Sequence, residues 1–460
     1  MRPDEFQQTK RFNLVLFTTF MFMAGYITQR ISLTVYLNQH GYNLNESYSI
    51  STSYIALFSI CSFVWGLISQ YLPTHEKIAT LAILAVSTGL LLLTFPYKNI
   101  EMAGISFIII GGSLYFTFMS LVVNNHFNGA TERQQGNHLY QIMFNMGALI
   151  GVLAIGLLPV SRYHDVYRFG SIITVFGFYL LLKNNISIHN INSIPSSLNQ
   201  KMMLIFALLS TFIFVYTLLK FGNITRFISI FGFIIGGGYI LYLAFKENNK
   251  NYLTFIAMLI LCGFPYWLAV SIVYSQFTIF LTQQVNSTLF GITIPPMAVL
   301  SLDAVANVIF GFGIYSIYKR RQIAPRTLLL YSLFLTALAF SFLVTPLYLT
   351  NSTQKISLIW PMFSISAYAV AEFLLISTLT AQISTLVHDK NRQGIFISME
   401  YLGSAVCASI AYYFMRITTV NVGNEFILAQ DLSLYSIMMT FTLIVGFIYF
   451  SLNKFKLLGT

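Results

Sequence analysis

Apolar residues in this chain gather in runs of about twenty, separated by short polar stretches, and each run is long enough to cross a hydrocarbon core of about 30 Å as a helix. The runs fall at 13–38, 49–71, 77–95, 102–124, 138–159 and 169–183, then 202–220 and 226–245. A second set follows at 253–281, 296–318, 327–347, 356–384, 395–415 and 435–453. Strands of a membrane β-barrel would be about ten residues long and alternate in polarity. These runs do not alternate, so the pattern predicts an all-α membrane protein with fourteen transmembrane helices in an order of six, two and six.

The polar, asparagine- and serine-rich segment KNNISIHNINSIPSSLNQK at 183–201 reads as a linker. It sets the expected organisation: an N-terminal six-helix bundle over 1–183, a cytoplasmic linker with two additional helices over 184–251, and a C-terminal six-helix bundle over 252–460. Two bundles of six imply a transporter with its site near the membrane midplane between the halves. The two intervening helices carry no charge at membrane depth and are expected to pack peripherally.

Composition agrees with this reading. Of 460 residues, 56% are hydrophobic and 8% charged, beyond the roughly 45–50% apolar content of soluble domains. The net charge of +11 would suggest nucleic acid in a soluble protein. Here the lysines and arginines sit in short loops, 17 on the side of the N-terminus against 7 on the other, with YKRRQIAPR the strongest single contribution. The positive-inside rule then places both termini in the cytoplasm of a plasma (inner) membrane protein, with no nucleic-acid partner. MRPDEFQQTKRFN leads into a run too long for a signal-peptide core, so no leader is expected. Cys61, Cys262 and Cys407 all fall in apolar runs and read as small buried hydrophobes. His75, His126, His138 and His388 show no ligand spacing. With no Walker loop, metal-ligand cluster or nucleophile triad, the expectation is a non-enzyme without cofactor or metal.

Charges at membrane depth cost several kcal/mol and are functional-site hypotheses by default. Four stand out: Arg30 in YITQRISLTVYL, Asp303 in SLDAVANV, Glu372 in AYAVAEFLLIS and Glu400 in FISMEYLGS. One base cannot pair with three acids, so the surplus acids are protonated, solvated in a cavity, or matched by a cationic group on a ligand. Asn145 is a lone amide in the glycine-spaced GNHLYQIMFNMGALIGVLAIG, suited either to helix packing or to substrate contact. The IPP at 294–296 opens a helix, where proline costs no backbone hydrogen bond.

At these residues the chain resembles the proton-dependent oligopeptide transporter family, a branch of the major facilitator superfamily. YITQRISLTVYL, with Tyr26 and Arg30, is similar to the family's helix 1; GGSLYF and YQIMFNMGALIG to its helices 4 and 5. ITIPPMAVLSLDAVANV and AVAEFLLISTLTAQISTLV resemble its helices 8 and 10, and the two extra helices match bacterial members. The resemblance implies a major facilitator fold, and departures from it define a divergent member. Where the family's helix 1 has two acids and an arginine, this chain has Thr19, Phe22 and Met23. The helix 4 lysine is replaced by Phe116, the helix 7 acid by Ser275 or a neighbour, and the acid near the helix 2–3 loop by Gln70. The resemblance leaves the pole that holds a peptide's amino group, at Asn145, Asp303 and Glu372, and puts Glu400 where the family often has a tryptophan.

The expected function is secondary active transport of a small amine-bearing solute, di- and tripeptides first, by alternating access. Tyr26, Arg30, Asn145, Asp303, Glu372 and Glu400 are the expected substrate contacts. Glu372, Asp303 and Glu400 are the available proton carriers. Partners are the small-molecule substrate, protons and the lipid bilayer, with the chain a monomer. The rival readings are an exporter or facilitator for a polyamine, amino acid or siderophore-like metabolite, and a sensor that binds ligand without moving it.

Overall fold

The computed structural model describes residues 3–69, 75–126, 130–183, 198–320, 323–350, 355–387, 390–419 and 424–454. Gln70, His388 and most of the 183–201 linker lie outside them. The first six long helices are α1 (Pro3–Gln39), α2 (Leu44–Ser69), α3 (His75–Leu92), α4 (Lys98–His126), α5 (Ala130–Leu157) and α6 (Tyr163–Lys183). The additional pair is α7 (Leu198–Lys220) and α8 (Gly222–Lys246). Asn43 and Glu46 form a reciprocal cap at the head of α2. The Glu46 amide donates to Asn43 Oδ1 at 2.8 Å and the Asn43 amide to Glu46 Oε2 at 3.1 Å, which satisfies two of the donors that a helix start leaves open.

The ninth apolar run is not one helix. It consists of α9 (Lys250–Met258), a π turn at Leu259–Gly263, α10 (Phe264–Val273) and α11 (Gln276–Gln284). Pro265 has no N–H to give to the preceding turn, and the wider π turn just before it absorbs the missing bond. The second break falls at Ser275, whose φ of −128° and ψ of −78° are not helical. Thr278 Oγ1 donates to the Ser275 carbonyl at 2.7 Å, replacing part of the interrupted backbone ladder.

The remaining helices are α12 (Ser301–Arg320), α13 (Pro325–Leu349), α14 (Ile359–Leu386), α15 (Lys390–Thr419) and α16 (Asn424–Lys454). A 3₁₀ turn at Pro296–Leu300 precedes α12, so the proline pair does open the helical path. Among the described residues thirteen stretches are long and apolar enough to cross a membrane. The fourteenth expected pass corresponds to the apolar part of α7, Leu204–Lys220, roughly 26 Å long at 1.5 Å per residue.

By contacts the chain divides into two compact units. One comprises Met1–Ser32 with Leu57–Thr225, the other Leu33–Ala56 with Arg226–Thr460. The boundary cuts α1 and α2, whose joined ends, Leu33–Gln39 and Leu44–Ala56, belong to the second unit. α8 exposes a row of large apolar side chains, Phe227, Phe231, Ile234 and Phe245, a surface suited to hydrocarbon rather than to water.

Candidate functional site

The six expected site residues fall three to each unit. In the first, Tyr26 and Arg30 lie one turn apart on α1; Tyr26 is fully buried and Arg30 half-buried. Asn145 is buried on α5. The glycines beside it decide how close α5 can come. A Cβ at Gly151 would lie 2.6 Å from the Ala24 carbonyl oxygen, so the two backbones touch where only hydrogen fits. The glycine spacing noted in the sequence therefore serves close packing of α5 on α1.

Where the resemblance implied acids, an arginine and a lysine, the first unit holds an interlocked aromatic cluster. Phe116 is its hub. Its ring centroid lies 5.5 Å from Phe58, 5.4 Å from Tyr26, 5.9 Å from Phe22 and 5.5 Å from Phe144, at steep interplanar angles. Phe22 stacks on Tyr115 at 3.7 Å, and Thr19 shares a 2.9 Å hydrogen bond with the Tyr115 hydroxyl. Edge-to-face contacts of this kind add about 0.5–1.5 kcal/mol each beyond the burial of the rings. The cluster leaves no room: a Cβ at Gly112 would sit 2.7 Å from Tyr26 Cε2. Phe22, Tyr26, Thr19, Tyr115 and Phe116 thus occupy these positions with apolar faces and hydroxyls, none of them charged.

The second unit carries the acids. Asp303 sits in the first turn of α12, where a carboxylate is favoured by the helix dipole. Its Oδ1 accepts from Asn307 Nδ2 at 3.2 Å, one turn on, and its Oδ2 from the Tyr274 hydroxyl at 3.4 Å. Glu372 is half-buried in the middle of α14. The Tyr266 and Tyr368 rings stack at 5.9 Å and 10°. Asp303, Glu372, Tyr266, Tyr274 and Tyr368 come from α10, α12 and α14, with Tyr274 just past the end of α10. Glu400 is buried on α15, and no hydrogen bond or ion pair among the described residues joins it to this group.

The three tyrosines and Asn307 were not singled out by sequence reasoning. Asn307 had a signal, since it lies four residues after Asp303 and so on the same helix face. Asp431 was missed as well. It is 1% exposed near the start of α16, whose helix begins eleven residues before the apolar run 435–453. The structure therefore adds a fourth acid to the three singled out in the sequence.

The chain thus has the major facilitator fold, two sets of six membrane helices with two more between them. No protein-family model matches the sequence, and no curated protein matches it either. Solved structures match the fold over nearly its whole length. A bacterial homologue of the human drug peptide transporters PepT1 and PepT2 is similar at a TM-score of 0.82 and 12% identity, over 97% of this chain and 98% of that one. A POT family transporter in complex with 5-aminolevulinic acid is similar at a TM-score of 0.80 and 18% identity, over 98% and 96%. A POT family transporter in complex with a thioalcohol-conjugated peptide gives 0.80 and 17% over the same shares.

Proposed function

We propose that this chain is a secondary transporter of small amine-bearing solutes, di- and tripeptides first among them, working by alternating access. The observation that carries the reading is the presence of two acids at membrane depth, Asp303, held by Tyr274 and Asn307, and Glu372 on α14, on a fold shared with peptide transporters. Tyr274 and Asn307 orient the Asp303 carboxyl group, and a ligand ammonium is a fitting partner for acids at this depth. Asn145, Tyr26 and Arg30 are the proposed contacts on the first unit, Arg30 for a carboxylate. The solved relatives that hold 5-aminolevulinic acid and a conjugated peptide support the solute class. We place the chain in the inner membrane with both termini cytoplasmic, on the distribution of its basic residues.

The aromatic cluster around Phe116 favours a second solute class, amines without a carboxylate, because the first unit offers rings where a lysine would hold an anion. Thermal stability of the purified protein against dipeptides, amino acids and polyamines separates the two. A ligand that binds the native state raises stability by mass action whether or not transport is running. A shift with dipeptides that Glu372→Gln abolishes supports peptides. A shift confined to amines without a carboxylate moves the assignment to them, and no shift with any of the three removes the proposal.

A further inference from the structure

A second buried acid lies apart from the proposed solute site. Gln276, the first residue after the break in the ninth run, donates from Nε2 to Asp431 Oδ1 at 2.8 Å. The hydroxyl of Tyr48 on α2 donates to Gln276 Oε1 at 2.9 Å. One amide thus ties α2, α11 and α16 together within the second unit. All three side chains are at least 95% buried.

The connection is incompletely satisfied in one respect only. Asp431 Oδ2 is buried without a hydrogen-bond partner, and so is the hydroxyl of Tyr435, one turn further along α16. The titratable groups facing Asp431 are the phenols of Tyr48, from α2, and Tyr435, from its own helix; α11 contributes the neutral Gln276. Where α13 meets α16 beside this group, Phe340 stacks on Tyr435 and brings no charge. Among the described residues no lysine, arginine, histidine or second acid acts on Asp431. An anion there is a buried charge without a counter-charge, which proteins rarely keep. A proton on Oδ2 removes the charge.

We propose that Asp431 is a proton-binding site, and that proton uptake there closes the Tyr48–Gln276–Asp431 connection. The step is Asp431–COO⁻ plus H₃O⁺ giving Asp431–COOH and H₂O. With the proton bound, the neutral acid stays packed between α2, α11 and α16. When α11 moves at its break, water reaches the carboxyl, the anion becomes solvated and the proton leaves. Tyr435 also shares a small apolar cavity with Tyr368, Ile272, Val273, Phe277 and Phe340. The site is separate from Glu372, Asp303 and Glu400, and it holds for any solute.

The test needs no substrate. Infrared spectra of the full chain in lipid nanodiscs are recorded across a pH series for the wild type and Asp431→Asn. The expected result is a protonated-carboxyl carbonyl band that disappears as pH rises and is absent from the variant. Asp431→Glu, which keeps the acid, shifts the band and covers the case in which Asp431→Asn does not fold. Amide exchange in α11, referred to the intrinsic rate at each pH, is expected to speed up as the band disappears, and to lose that response in Asp431→Asn. A band untouched by Asp431→Asn, or one assigned to Asp431 that persists at every pH, overturns the proton site. Exchange in α11 that ignores the band overturns the closing role. Because no ligand is involved, these outcomes leave the solute assignment unaffected.

Discussion

Replacing Glu372 by glutamine removes a charge and little else. The side chain keeps its length and an oxygen that can accept a hydrogen bond. An ammonium about 4 Å from a carboxylate gains about 4 kcal/mol at an effective dielectric of 20. Desolvation of the two charges returns part of it, so a net contribution of about 1.5–3 kcal/mol is the figure for a hydrogen bond to a charged group. That is roughly a 10- to 150-fold loss of affinity. With ligand at 100 times the wild-type Kd, binding stabilises the native state by about 2.7 kcal/mol; a 100-fold weaker site leaves about 0.4 kcal/mol. Isothermal titration of alanyl-alanine into wild type and Glu372→Gln reads the difference directly. Equal affinities in the two proteins would refute the assignment of Glu372 to a ligand ammonium.

Three further outcomes follow from the packing and the acid's partners. Gly151→Ala forces a methyl group onto the Ala24 carbonyl and is expected to destabilise by about 1–3 kcal/mol, as overpacking does, read by thermal unfolding in detergent. Arg226 is 3% exposed with its guanidinium 3.6 Å from the centre of the Tyr412 ring. Arg226→Lys loses the planar stacking and about 0.5–2 kcal/mol with it, measured the same way, and an unchanged melting point would show that the ring contact is idle. Asn307→Leu deprives Asp303 Oδ1 of its donor and is expected to change dipeptide affinity several-fold while leaving the melting temperature of the unliganded protein nearly unmoved.

Much of the fold was legible because lipid-spanning helices need long apolar runs and nothing subtler. α4 is an example: ISFIIIGGSLYFTFMSLVV reads as a span in any register, and it is one. The break between α10 and α11 was not legible. WLAVSIVYSQFTIF is apolar on both sides of Tyr274–Ser275 and has neither glycine nor proline there, so only tertiary packing marks the interruption. The acids of the proposed solute site declared themselves, because a charge in an apolar run is costly. Their tyrosine partners did not: with 28 tyrosines in the chain, Tyr266, Tyr274 and Tyr368 look like any packing aromatic until the helices bring them to Glu372 and Asp303. Asp431 escaped for a different reason. NEFILAQDLSLYS lowers the local hydropathy enough to read as a loop, yet α16 starts at Asn424 and buries it.

The central claim, that this chain moves amine-bearing solutes across a membrane, is tested most directly by counterflow. Proteoliposomes holding the purified chain are loaded with unlabelled alanyl-alanine and diluted into a trace of the labelled dipeptide. The account predicts transient accumulation of label above equilibrium, abolished by Glu372→Gln. Liposomes that accumulate no label with dipeptides, amino acids or polyamines, from a protein shown to be folded, would contradict it.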